Sequence, residues 1–207
     1  MMFHDRNEAA ILLAEQLSDY QGKNPLILAI PRGAVPMAKI IADQLGGEFD
    51  VVLVRKLRAP NYPELAIGAI DESGWTYIAD HAASVGADSE YIEAERQQQI
   101  ATIKQRRAQY TPVRPSIDPA GRIVIVIDDG LATGATMIAA LHGLRSRKPA
   151  RLICAIPVSP PETLRKIYPL ADQVVCLDTP DNFSAVGQFY VNFPQVEDVE
   201  AINILHN

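Results

Sequence analysis

Apolar positions along the chain follow two rhythms. Short unbroken runs alternate with stretches in which apolar residues return every three or four positions. The first rhythm marks strands buried on both faces of a parallel sheet, the second helices that pack on such a sheet. The runs are Leu26–Ile30, Asp50–Val54, Val124–Ile127, Arg151–Val158 and Gln173–Leu177. Helical spacing covers residues 5–21, with Ala9, Leu12, Leu13, Leu17 and Tyr20 on one side, and Gly22 ends it. It returns in Met37, Ile40, Ile41 and Leu45, in Met137, Ile138, Leu141 and Leu144, in Pro161–Tyr168 and in Gln195–Leu205. The alternation predicts an α/β fold: a mostly parallel twisted sheet with helices on both faces.

Three stretches break the alternation. Residues 57–66 hold two prolines and an asparagine and read as an irregular loop. Ile67–Asp71 and Trp75–Ile78 then read as a hairpin around Glu72-Ser73-Gly74. Residues 88–110 form a long polar helix capped by Asp88, with a thin stripe of Ile92, Ile100, Ile103 and Tyr110. A stripe that thin implies partial burial, against the body or against a second subunit. Thr111–Gly121, with three prolines, connects this helix to the next strand.

The stretch Val124-Ile125-Val126-Ile127-Asp128-Asp129-Gly130-Leu131-Ala132-Thr133-Gly134-Ala135-Thr136 carries the chemistry. Its strand ends in two acids, at the edge where ligands bind in open α/β sheets. Thr133–Thr136 opens a helix, whose free N–H groups and dipole attract an anion. Carboxylates accept hydrogen bonds from vicinal hydroxyls, and small residues let backbone approach a phosphate. A ribose 5-phosphate satisfies both halves.

The same residues resemble the binding motif for 5-phosphoribosyl-1-pyrophosphate (PRPP) in the type I phosphoribosyltransferases: a hydrophobic run, two acids, then Ala-Thr-Gly-x-Thr. The resemblance implies the type I fold over residues 1–207 as one domain, with a small hood from residues 178–207. It implies that Asp128 and Asp129 take the ribose hydroxyls and act in catalysis. Gly130 and Ala132, Thr133, Gly134, Ala135 and Thr136 would cradle the 5-phosphate. Arg32-Gly33-Ala34 resembles the family's pyrophosphate loop, with Ala34 in place of a second glycine, and the resemblance implies a cis Pro31–Arg32 bond. Pro31, Arg32, Gly33 and Lys56 are the expected pyrophosphate contacts, with Arg55 and Arg58 beside Lys56. Residues 57–66 match the family's mobile loop; Tyr62 and Glu64 lie on it with no role assigned. Glu64–Ile70 resembles an uncharacterised bacterial branch of the family. In the hood, Phe183 and Tyr190 are candidates to stack on a base, whereas Phe189 and Phe193 read as seals against the core. Magnesium would be held through ligand and water near Asp128 and Asp129 rather than by direct protein ligands.

Composition narrows the classes. The 207 residues suffice for an α/β domain with a core, and the net charge of −6 argues against a general nucleic-acid binder. The absence of a long apolar run predicts no membrane span, and Met1–Asn7 does not read as a secretory signal. Cys154 and Cys176 sit in apolar runs and read as reduced core residues of a cytoplasmic protein. No Walker-type GxxxxGK motif or GxGxxG pattern occurs. The activity the resemblance implies is transfer of the phosphoribosyl group from PRPP to a nitrogenous base or related amine; family members often pair, and the sequence leaves open whether this chain forms a homodimer. A PRPP- or nucleotide-sensing protein without catalysis is the alternative.

Overall fold

The computed structural model describes residues 1–112 and 115–207. Val113 and Arg114, within the predicted connector Thr111–Gly121, lie outside the described residues. The strands in chain order are β1 (Leu26–Ala29), β2 (Glu48–Val51), β3 (Val54–Ala59), β4 (Tyr62–Asp71), β5 (Thr76–Ile78), β6 (Ile123–Ile127), β7 (Arg151–Val158) and β8 (Gln173–Asp178). The helices are α1 (Arg6–Gln16), α2 (Val35–Leu45), α3 (Ser89–Tyr110), α4 (Ala135–Ser146), α5 (Pro161–Ile167) and α6 (Asp198–His206).

Five strands form a parallel sheet in the order β2-β1-β6-β7-β8. Successive side chains leave a strand on opposite faces, and here both faces are apolar. Ile27, Ala29, Ile125, Ile127, Ile153 and Ala155 join the core under α1 and α2. Leu26, Leu28, Val124, Val126, Leu152 and Cys154 join the core under α4 and α5. This explains the unbroken apolar runs and bears out the predicted fold class. Strand order reverses between β1 and β6, so the loops that follow these two strands face each other across a crevice.

A second, antiparallel sheet, β3-β4-β5, lies against α3 and α4. It corrects two expectations. The predicted strand Asp50–Val54 is divided: β2 ends at Val51, and Val54 opens β3 in the other sheet. Residues 57–66 are not an irregular loop, because most of them pair, from Leu57↔Gly68 to Ala59↔Tyr62, with register irregularities around Arg58. The reversal is confined to Pro60-Asn61, where Asn61 adopts φ 64°. Pro63 fits within β4 because β5 covers only Gly68–Ile70, which leaves that part of the strand one open edge. The hairpin of β4 and β5 around Glu72–Gly74 is present as expected.

Close packing joins this small sheet to α4. A Cβ on Gly143 would stand 2.5 Å from Asp71 Oδ2, so only glycine admits β4 this near the helix. The neighbouring His142 ring stacks on Tyr77 at 4.8 Å and on Trp75 at 5.7 Å. The long helix α3 begins where Asp88 accepts a hydrogen bond from the Tyr91 N–H, at 2.8 Å. Its inner face buries Glu95, Gln99, Ile103 and Tyr110, which is why its apolar stripe is thin. At the other end of the chain, the tail pairs with the N-terminus through Phe3 N–H to Phe189 C=O and Val191 N–H to Phe3 C=O, both 2.8 Å. No helix among the described residues is long and apolar enough to cross a membrane.

Candidate active site

The crevice at the strand reversal opens into a cleft of about 1360 Å³. Its floor is made by the ends of β1, β2 and β6, its sides by the two facing loops, and its far rim by α3, the β3–β4 hairpin and the tail.

The loop after β6 contributes Asp129, Thr133, Ala135 and Thr136 to the wall. Asp128 is recessed behind Asp129, its Oδ1 accepting the Asp129 N–H at 2.9 Å. Burial pushes the Asp128 carboxyl well above the usual range, and the charge of Asp129 adds to the shift. Burial also raises Asp129, opposed by Arg6, whose Nε donates to Asp129 Oδ2 at 3.0 Å. Gly134 takes a left-handed conformation, φ 76°, to open α4, and leaves the first N–H groups of that helix at the cleft. Gly130, Ala132 and Gly134 are not on the wall themselves. Gly130 packs against Val158 and Val186, the Ala132 carbonyl accepts from Thr163 Oγ1 at 2.6 Å, and Gly134 packs against Thr163. They shape the loop from behind.

The loop after β1 brings Pro31, Arg32 and Gly33 to the opposite wall, and the Pro31–Arg32 bond is cis as expected. Gly33 is indispensable to the approach of the two loops: a Cβ there would collide with Asp129 Oδ2. Ala34, by contrast, has φ −82° and is wholly buried, so the missing second glycine asks nothing unusual of the backbone.

Beyond the Gly33 loop the wall is cationic. Lys56 lies in the cleft, 3.7 Å from the exposed Glu64 carboxylate across the hairpin. Arg55 is held by Gln99 Oε1 at 3.0 Å and faces the cleft beside Arg106. Burial lowers the pKa of Arg55, with further lowering from Arg106 and Arg58. Arg58 does not line the cleft: its guanidinium is bound by Glu95 on α3, at 2.7 Å.

The tail supplies a correction. Neither Phe183 nor Tyr190 lines this cleft. Tyr190 is buried between Phe3 and Phe193, and its hydroxyl donates to the Asp129 carbonyl at 2.6 Å, so its ring faces are taken. Phe183 leans on Phe189 and borders a separate hollow beside Pro161 and Glu162. Phe193, read as a seal, is the aromatic that reaches the cleft, with the Arg6 guanidinium 4.0 Å over its ring. Arg6, Arg106 and Lys166 also line the cleft. Nothing local in the sequence marks them, because each is one charge among several on the polar side of its helix.

No cluster of three or more His, Cys, Asp or Glu side chains suited to a metal occurs among the described residues. The carboxylates at the cleft are Asp129, with Asp128 recessed behind it, and Glu64 and Asp198. The adjacent pair Asp128 and Asp129 offers oxygen donors of the kind a hard cation takes.

The model of the phosphoribosyl transferase domain family matches residues 4–194. Two Mycobacterium tuberculosis proteins named "putative phosphoribosyl transferase", from the H37Rv and CDC 1551 strains, are 38% identical over 205 residues, 99% of this chain and 46% of theirs. The chain thus spans about half the length of these curated relatives. The crystal structure of TT1426 from Thermus thermophilus is 42% identical and superposes with a TM-score of 0.89, covering 99% of this chain and 98% of that one.

Proposed function

This chain belongs to the phosphoribosyl transferase domain family, and from that premise we propose that it transfers the 5-phosphoribosyl group of PRPP to a nitrogenous base or related amine, releasing pyrophosphate. The observation that carries the reading is the contact of two loops: Gly33 stands against Asp129, which supports a pyrophosphate loop and a ribose loop that meet across the floor of the cleft.

In this reading Asp128 and Asp129 hold the ribose hydroxyls, with Asp129 making the nearer contact. The loop from Gly130 through Thr136 receives the 5-phosphate on the N–H groups of α4 and the hydroxyls of Thr133 and Thr136. Pro31, Arg32, Gly33 and Lys56 receive the pyrophosphate, in the positive field of Arg55 and Arg106. The bond from C1 of the ribose to the pyrophosphate oxygen breaks, its electron pair leaving with that oxygen, while the lone pair of the acceptor nitrogen bonds to C1 and the proton of that nitrogen passes to solvent. The sugar passes through an oxocarbenium-like state, whose charge the recessed acid pair stabilises. Pyrophosphate leaves readily once its charge is neutralised, so no general acid is required. Magnesium, when bound, supplies part of that neutralisation. The acceptor would meet the cleft edge formed by Phe193, Gln195 and Val196 rather than Phe183 or Tyr190. Both cysteines are free, in keeping with a cytoplasmic setting; burial raises the Cys176 thiol to about 11.

Incubation with labelled PRPP, magnesium and a panel of purines, pyrimidines and simple amines tests the reading. A labelled ribonucleotide with stoichiometric pyrophosphate is expected. Binding of PRPP without product for any acceptor would replace the transferase with a sensor, and failure to bind PRPP would remove both.

A further inference from the structure

The first residue of the first helix, Arg6, lines this cleft. The Arg6 guanidinium is fixed on three sides: Nε donates to Asp129 Oδ2 at 3.0 Å, Nη1 donates to the Pro194 carbonyl at 2.5 Å, and its plane lies 4.0 Å over the Phe193 ring. Phe193 stacks on Tyr190 at 4.7 Å, and Tyr190 rests on Phe3 at 5.5 Å. The column of rings ends at the cleft in a cation, not in an open aromatic face. The third nitrogen, Nη2, makes no hydrogen bond among the described residues. It stands beside the Gly33 turn, 3.2 Å from where a Cβ on Gly33 would be. The free donor of Arg6 is thus at the junction between the acid that would hold the ribose and the loop that would hold the pyrophosphate.

We propose that Arg6 is a pyrophosphate-binding residue of this site, its Nη2 donating to an oxygen of the leaving group next to the Gly33 backbone. The proposal rests on the phosphoribosyl-transfer reading and adds to it a cation supplied by the N-terminal helix. Arg6 stays protonated throughout: it donates hydrogen bonds, and no proton leaves it as the electron pair of the C1–O bond passes to pyrophosphate. Asp129 keeps its bond to Nε, because a carboxylate has lone pairs for both an arginine and a ribose hydroxyl. The fixed plane matters. Arginine presents donors in a rigid fork, whereas lysine at this position would be a mobile point charge.

Titration calorimetry separates this role from a merely structural one, using magnesium pyrophosphate and ribose 5-phosphate as two independent probes on wild type, Arg6→Gln and Arg6→Lys. Loss of one charge-assisted contact should weaken pyrophosphate binding to Arg6→Gln by about ten- to a hundredfold, and ribose 5-phosphate by less than about threefold. Arg6→Lys should fall between wild type and Arg6→Gln for pyrophosphate. It carries the test alone if melting shows that Arg6→Gln does not fold. Pyrophosphate affinity unchanged in the variants would overturn the proposal while leaving the transferase reading intact. Equal weakening of both probes would also overturn it, since Arg6 would then act only through Asp129. A wild type that binds neither probe would defeat the underlying reading and this inference with it.

Discussion

Arg106 and Arg107 are neighbours on α3, yet they belong to opposite kinds of surroundings. Arg107 is enclosed by its partners: Glu72 at 2.6 and 2.9 Å, Asp50 and Val51 C=O at 2.9 and 3.1 Å, and Thr111 Oγ1 at 3.0 Å. That cluster ties α3 to β2 and to the β4–β5 turn. Arg106 faces the cleft, among Arg6, Arg55 and Lys56. On one side of the helix, charges are satisfied by each other and hold the two sheets in register. On the other, cations outnumber the acids Asp129, Glu64 and Asp198 in a recess, where an arriving anion is worth more than in open water. The same helix therefore serves as a fastener along one edge and as a wall of the site along the other. Glu95 and Gln99 link these roles, since they are buried and hold Arg58 and Arg55.

Four measurements bear on this contrast. The largest effect should come from the acid pair. Converting Asp128 to Asn together with Asp129 to Ala should reduce phosphoribosyl transfer by about a thousandfold or more, because two charge-assisted anchors are lost at once. Undiminished turnover would mean that the cleft acids are bystanders. Next is Arg107→Met, which takes from Glu72 its bidentate cation and from Asp50 one of its partners, and should cost about 3 kcal/mol in urea unfolding. A loss below about 1 kcal/mol would place Arg107 among ordinary surface pairs.

The third measurement reverses the direction. Burial raises the Asp128 carboxyl, with Asp129 adding to it, so the folded state holds its proton more tightly than the unfolded chain does. Stability should therefore fall as pH rises from the ordinary carboxylate range through the raised value. Asp128→Asn should raise the melting temperature at neutral pH and flatten that slope, even as function is lost. An unchanged slope in the variant would remove Asp128 as its source. The smallest effect belongs to Glu64, which is 98% exposed opposite Lys56. Glu64→Gln should change stability by no more than about 0.5 kcal/mol. A larger loss by thermal melting would show that the hairpin depends on that pair.

Much of the site is legible in the sequence because its two loops are local objects. Val124–Ile127 followed by two acids and a small-residue turn is a contiguous statement of strand, ligand edge and helix start, and Leu26–Gly33 is a shorter version of it. Each loop is legible for the same reason that it works, since backbone N–H groups and glycines act through their immediate neighbours. Residues 57–66 mislead because proline is a strong local signal, and the open edge that tolerates Pro63 exists only when β5 stops at Gly68–Ile70. Phe183 and Tyr190 mislead because an aromatic residue carries no mark of which of its faces will be covered.

The sequence alone determined the parallel core, through apolar runs too continuous for a one-sided sheet, and the chemistry of the acid-bearing turn, through side chains adjacent in the chain. Tertiary structure alone decided which charges meet. Arg6 lies 123 positions from Asp129 and 188 from Pro194, and these contacts exist only in the folded chain, where the tail pairs with the N-terminus. A charge is given by its residue, but its role depends on what burial brings within a few ångströms, and that is a property of the folded chain.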